Sequence, residues 1–167
     1  DILSIAVDAN NVKWFGTSNG ISSFDGTNWT THKDKMGFNY VATNAIAVDK
    51  NNINWFSSRN SIVLRYDGTT WITYRKEDGL ADNTVHAIAV DDDNVKWFGT
   101  DNGVSSFDGT TWTTYAELAS YPVHAAAVDA DNVKWFARWG EGVSSFDGTT
   151  WTTYDEGDGL VDRYVHA

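Results

Sequence analysis

One pattern occurs four times in this chain, and it decides the architecture before any residue is read for chemistry. It runs "NVKWFGTSNGISSFDGTNWTTH" at 11–32, "NINWFSSRNSIVLRYDGTTWITY" at 52–74, "NVKWFGTDNGVSSFDGTTWTTY" at 94–115 and "NVKWFARWGEGVSSFDGTTWTTY" at 132–154. The first Trp of each copy falls at Trp14, Trp55, Trp97 and Trp135, with spacings of 41, 42 and 38 residues. The second falls at Trp29, Trp71, Trp112 and Trp151, with spacings of 42, 41 and 39. Repeats of this length are single supersecondary units that bury their apolar faces on one another. These eight tryptophans are therefore expected in the core, and only Trp139 stands outside the pattern.

Each unit reads as four short strands. In 85–115, "VHAIAVD" is an apolar strand and "DDDN" a turn whose Asp and Asn side chains can bond nearby backbone N–H groups. "VKWFGT" is a second strand, closed by a hairpin in which Asn-Gly supplies positive φ. "VSSFDG" is a third strand, and "DGTT" turns into a fourth, "WTTY". Turns recur about every ten residues without helical periodicity, which indicates an all-β fold. Trp97 and Phe98 are adjacent, so they point to opposite faces of one sheet, and both faces need cover. A four-stranded sheet buried on both faces and repeated every 40 or so residues is a blade of a β-propeller. The small residues of "AIAVD" suit the innermost strand, and "WTTY" then lies outside. The chain reads as one domain, 1–167, with blades near 1–32, 41–74, 83–115 and 122–154, and with 164–167 starting a further one.

The unit at 77–115 resembles the repeat of the two-component regulator propellers, through "DGL", an Asp at the turn, Trp followed by Gly-Thr, and a Gly before the third strand. Such repeats occur in bacterial sensor ectodomains and related secreted proteins. The resemblance implies the propeller fold and a periplasmic or secreted location. The family usually carries more than four blades, and "YVHA" at 164–167 repeats the place already held by "DILS" at the start. A head-to-tail homodimer of eight blades is therefore an expected partner arrangement.

The formal charge of −11 disfavours binding to nucleic-acid phosphates. There is no Cys, which excludes disulfides, zinc–thiolate sites and a Cys nucleophile. No apolar run approaches the roughly 20 residues of a membrane helix. No phosphate loop, Ser-His-Asp order or HExxH helix is present. The Asp/Asn turns resemble fragments of a calcium loop but lack its closing Glu. No cofactor or metal is assigned.

Two groups of residues are candidates for function. The loops after the second and fourth strands share one end of a propeller, and there copies two and four diverge. They bring Arg59, Arg138, Trp139 and Glu141 to that end, with Arg65 on the next strand. The linkers add Phe38, Tyr40, Tyr121, Arg163 and Tyr164. Aromatic rings beside arginines suit a glycan, a peptide or a protein surface. The second group is His86, His124 and His166, at one position of the inner strand, where other copies have Asn44 and Leu3. They are expected at the channel mouth, either as ligands for a metal or anion or as structural imidazoles. No carboxylate repeats beside them. The leading expectation is a noncatalytic binding module; the alternatives are a self-assembling unit and a channel-site lyase with His86 or His124 as base.

Overall fold

The computed structural model describes residues 1–32, 42–58 and 62–166. Within them lie four antiparallel four-stranded sheets, each with its strands in chain order. The first holds β1 (Ile2–Val7), β2 (Lys13–Thr17), β3 (Gly20–Phe24) and β4 (Trp29–Thr31); the second β5 (Thr43–Val48), β6 (Asn54–Ser58), β7 (Val63–Tyr66) and β8 (Trp71–Tyr74). The third holds β9 (Val85–Val90), β10 (Lys96–Thr100), β11 (Gly103–Phe107) and β12 (Trp112–Tyr115); the fourth β13 (Val123–Val128), β14 (Lys134–Arg138), β15 (Gly142–Phe146) and β16 (Trp151–Tyr154). The first strands are innermost: β1 packs beside β5, β5 beside β9 and β9 beside β13. Among the described residues β13 does not pack on β1 in this way, and Ile2, Ile5 and Val7 of β1 are exposed. The four blades form an arc with two uncovered outer faces.

Each junction between blades uses the same residues. The Trp of one blade meets the Phe of the next: Trp14–Phe56, Trp55–Phe98 and Trp97–Phe136 have ring centroids 5.4, 5.9 and 6.0 Å apart. Tyr66, Phe107 and Phe146 on the third strands close the same clusters. Trp14, Trp55 and Trp97 are at most 4% exposed, and Phe56, Phe98 and Phe136 at most 1%. The expectation that all eight repeated tryptophans are core needs correcting. Trp71, Trp112, Trp135 and Trp151 are half-buried, and Trp29 is 66% exposed. Those on the fourth strand have no strand outside them, and Trp29 and Trp135 belong to the blades with an uncovered face.

The "Trp-Phe-Gly-Thr" element has a steric reason. A Cβ on Gly99 would lie 2.7 Å from Val123 Cγ1 and 2.9 Å from Val123 O, on the inner strand of the next blade. Gly16 meets Thr43 in the same way. Glycine here lets inner strands converge.

The Asp/Asn turns are also structural. Asp8, Asp49, Asp91 and Asp129 each accept two backbone N–H groups on Oδ1. Each also accepts the indole N–H of its own blade's Trp on Oδ2, at 2.9, 3.0, 2.9 and 2.7 Å. The Asn closing each turn adopts the left-handed conformation, with φ of 60–62° at Asn11, Asn52, Asn94 and Asn132. Three of them bind backward across a junction: Ala9 N–H donates to Asn52 Oδ1, Lys50 N–H to Asn94 Oδ1 and Asp92 N–H to Asn132 Oδ1, at 2.6, 2.8 and 2.9 Å. These turns serve blade cohesion, which explains their likeness to a calcium loop without its closing Glu.

Candidate functional site

His86 and His124 are the second residues of β9 and β13, two neighbouring inner strands. Convergence of those strands brings the imidazoles face to face, with ring centroids 4.6 Å apart and planes 29° apart. His166 follows at 6.3 Å from His124. In the first, third and fourth blades the residue just after the second strand is held to the backbone at the start of its own blade's inner strand. Asp101 N–H donates to Thr84 O at 3.1 Å, and Trp139 N–H to Pro122 O at 2.9 Å. That backbone anchor sets what stands beside each histidine. In the third blade Asp101 Oδ1 lies 2.6 Å from His86 Nε2. In the fourth, the Trp139 ring lies 5.3 Å from His124, 5.0 Å from His166 and 5.4 Å from Tyr164.

The two groups read separately in the sequence are thus joined here into one cluster: Asp101, His86, His124, Trp139, His166 and Tyr164. Trp139 and Tyr164 present open ring surface, at 44% and 52% exposure. Burial holds the His124 imidazole below its usual range, and the neighbouring His86 and His166 push it the same way, against an opposing pull from Asp101. His124 is therefore neutral near pH 7. Among the described residues no group of three or more His, Cys, Asp or Glu is arranged to hold a metal ion. The imidazoles stack and meet a Trp ring instead of converging on a point.

Asp101 is the member that sequence reading passed over. It sits in a hairpin, "TDNG", that looks ordinary, and it repeats in no other copy. The clue was its alignment with Trp139, since both directly follow the second strand. Arg138 is not on the surface, contrary to expectation. It is the last residue of β14 and only 6% exposed, its Nη1 donates to Ser144 Oγ at 3.2 Å, and its guanidinium lies 5.0 Å from the Tyr121 ring centroid. It takes the place where Thr17 and Thr100 close their hairpins. Tyr121 covers it and is partly exposed. Arg163 is held by Glu156 through Nε and Nη2, at 3.3 and 3.2 Å, and lines a depression with Glu141 and Gly140 beside the ring cluster. Arg65 pairs with Asp67 at 3.2 Å. Asn44 is half-buried on β5 and carries no ring into the cluster. Phe38, Tyr40 and Arg59 lie outside the described residues.

No family model matches the chain, and no curated protein matches it. Solved structures do. The extracellular domain of the hybrid two-component system protein BT3049 from B. thetaiotaomicron superposes with a TM-score of 0.79 at 21% identity, over 96% of this chain and 24% of that one. The fold is that of a β-propeller. PorZ, a surface component of the type-IX secretion system of Porphyromonas gingivalis, gives 0.73 at 18% identity, over 98% of this chain and 28% of that one. A catalytically inactive virginiamycin B lyase from Staphylococcus aureus, solved with quinupristin, gives 0.76 at 17% identity, over 92% of this chain and 55% of that one. The chain spans from about a quarter to about half the length of these structures. Extracellular domains of two-component proteins among the matches agree with the resemblance of the repeat. No helix among the described residues is long and apolar enough to cross a membrane.

Proposed function

We propose that this propeller is a noncatalytic, extracytoplasmic binding module, and that its loop-rich end takes up a glycan, peptide or protein through the ring cluster at the channel mouth. One observation carries this reading: Trp139 and Tyr164 are large, half-exposed rings fixed edge-on to one another and to a row of imidazoles. Rings held in this way offer flat apolar surface at little cost in conformational freedom. The imidazole nitrogens and Asp101 supply directed polar groups at the edge. The net charge of −11 favours neutral or cationic ligands over anionic ones. The fold shared with extracellular domains of surface and sensor proteins supports the location.

The test is a glycan array together with a peptide-display screen, run on the wild type and on Trp139→Ala. Retention of one ligand class by the wild type, reduced at least tenfold in the variant at unchanged melting temperature, is expected. Retention unaffected by Trp139→Ala moves the site elsewhere. Turnover of a cyclic peptide or a lactone, abolished by His86→Ala, would replace the binding reading with a catalytic one.

A second reading, self-pairing, is favoured by the uncovered faces. Among the described residues, Phe15 on the first blade and Trp135 on the fourth lack the partners from a neighbouring blade that their counterparts have, and so do Lys13 and Asp129, and Asn11 Oδ1 and Ala130 N–H. A second copy placed head to tail supplies each with its match. Light scattering over a dilution series tests this: a mass of twice 18.5 kDa is expected, and the mass of one chain at all concentrations would exclude it.

A further inference from the structure

The three junctions share one plan, and the first departs from it at His32, Tyr66 and Asn54, where the others hold Tyr, Phe and Lys. Where blade two meets blade three, the Lys96 ammonium crosses to the preceding blade. It lies 3.9 Å from Asp49 Oδ2, 5.4 Å above the Trp55 ring and 2.7 Å from Asn94 O. Where blade three meets blade four, Lys134 reaches Asp91 Oδ2 at 3.2 Å and lies 5.4 Å above Trp97. Both lysines are buried. In the first junction the same strand position holds Asn54, whose side chain is too short to cross.

The groups that receive the lysine are nevertheless all present in that first junction. Asp8 has the same two backbone donors and the same bond to its indole as Asp49 and Asp91, is nearly buried, and among the described residues pairs with no cation. Trp14 offers its ring as Trp55 and Trp97 do. The cleft is lined by Asp8, Trp14, Asp25, His32, Asn54, Tyr66 and Asp67, with His32 stacked on Trp14 as Tyr74 and Tyr115 stack on Trp55 and Trp97. Asn54 is 3% exposed, and its Oδ1 is buried with no hydrogen-bond partner. Buried acceptors are normally satisfied, so an orphan facing a cleft marks a missing donor. A carboxylate, an unpaired amide oxygen and an indole face together suit a cation that carries N–H donors.

We propose that the cleft between the first and second blades binds a primary alkylammonium, placed where Lys96 and Lys134 place theirs. The other two junctions contain their own ammonium; this one takes it from outside. The site lies among the turns at the end of the blades opposite the ring cluster, so it is independent of the binding reading above. Both a lysine side chain of a peptide and a free diamine present this chemistry.

The experiment follows the Trp14 indole N–H by heteronuclear NMR during titration of the full chain with Nα-acetyl-lysine N-methylamide. Saturable movement of that resonance is expected, with none for the norleucine analogue, which lacks the ammonium. The trimethylated lysine analogue, which has no N–H to give Asp8 and Asn54, is expected to bind at least fivefold more weakly. Asn54→Lys restores the residue found in the other three copies, so it should fold. It is expected to weaken probe binding at least tenfold and to raise the melting temperature. Cadaverine in a parallel titration separates the two sources: tighter binding than the lysine amide points to free diamines, weaker binding to peptide lysine. No saturable shift in the wild type, equal binding of norleucine or trimethyl-lysine analogues, or Asn54→Lys affinity within twofold of wild type would each overturn the proposal.

Discussion

The middle junctions and the two outer faces of the arc carry nearly the same side chains in different surroundings. Trp97 is buried against Phe136 and Phe146, whereas Trp135, at the equivalent position, stacks among the described residues only on Tyr154 of its own blade. Phe98 is fully buried and Phe15 is not. The local sequence of a blade therefore fixes its strands, while the neighbouring blade fixes how much each aromatic contributes. This is the behaviour of stacked repeats, whose stability is a sum of unit terms and nearest-neighbour interfaces.

The comparison breaks first at the tryptophans. Trp97→Ala should cost about 3–5 kcal/mol, the range for deleting a large buried aromatic, and Trp135→Ala less than half of that. Urea midpoints at low protein concentration measure both. Equal losses would mean that Trp135 is covered in solution, and a dilution series would then reveal by what. Gly99→Ala comes next, at about 1–3 kcal/mol, because the added methyl overpacks against the Val123 backbone.

A finer contrast lies in the turns. Asn94→Gly keeps the left-handed backbone accessible and removes only the bond from Lys50 N–H, so a loss of about 0.5–1.5 kcal/mol is expected. Asn11→Gly, which has no junction to hold, should change stability by almost nothing. Thermal melts of the two variants give the difference directly, and a common loss would show that the Asn acts within its own turn.

Acid should act on the same turns. Burial pushes Asp91 up, but the Trp97 indole, the Val95 N–H and Lys134 outweigh it and hold the carboxyl below the usual range. At Asp129 the Trp135 indole leads, followed by the Val133 N–H. Carboxyls lowered in the folded state add stability that is complete above their unfolded pKa, about 3.9, and that is lost as pH falls through the folded values. His124 has the same sign of proton linkage in a higher pH window: lowered in the fold, it costs stability once pH drops below its unfolded value of about 6.5. His124→Asn, the residue type at Asn44, should flatten the stability profile just below about pH 6.5 and leave the steep loss below about pH 4 in place. Trp139→Ala should also act weakly, within about 0.5 kcal/mol as for other surface changes, since nearly half of that ring is exposed.

The blades were legible because their determinants are local and repeated. Period-two strands, Asn-Gly hairpins and paired Trp-Phe each state their structure within a few residues. Burial of the repeated tryptophans followed from the same logic; it held at Trp14, Trp55 and Trp97 and failed most at fourth-strand Trp29 and second-strand Trp135, because cover comes from a separate sheet. The candidate site was half legible. Trp139 announced itself by breaking the repeat, and the histidines by sharing one register. Their union into one cluster depends on the spacing of neighbouring inner strands, which no single copy encodes. Asp101 was hidden because a polar hairpin residue looks the same whether or not it faces a histidine. Arg138 misled because its charge suggested the surface, while its place at the end of β14 put it beneath Tyr121.

The backward bond from each blade's turn to the Asn of the next gives the arc a direction. Every blade but the last is gripped by its successor, and none is gripped by its predecessor through this contact. Amide exchange should therefore be slow at Ala9, Lys50 and Asp92 and fast at Ala130, a difference between two ends that the repeat by itself makes look interchangeable. Opening that starts at the fourth blade releases the third, then the second, like a row of clasps undone from one side; loss of the first blade leaves every remaining clasp shut.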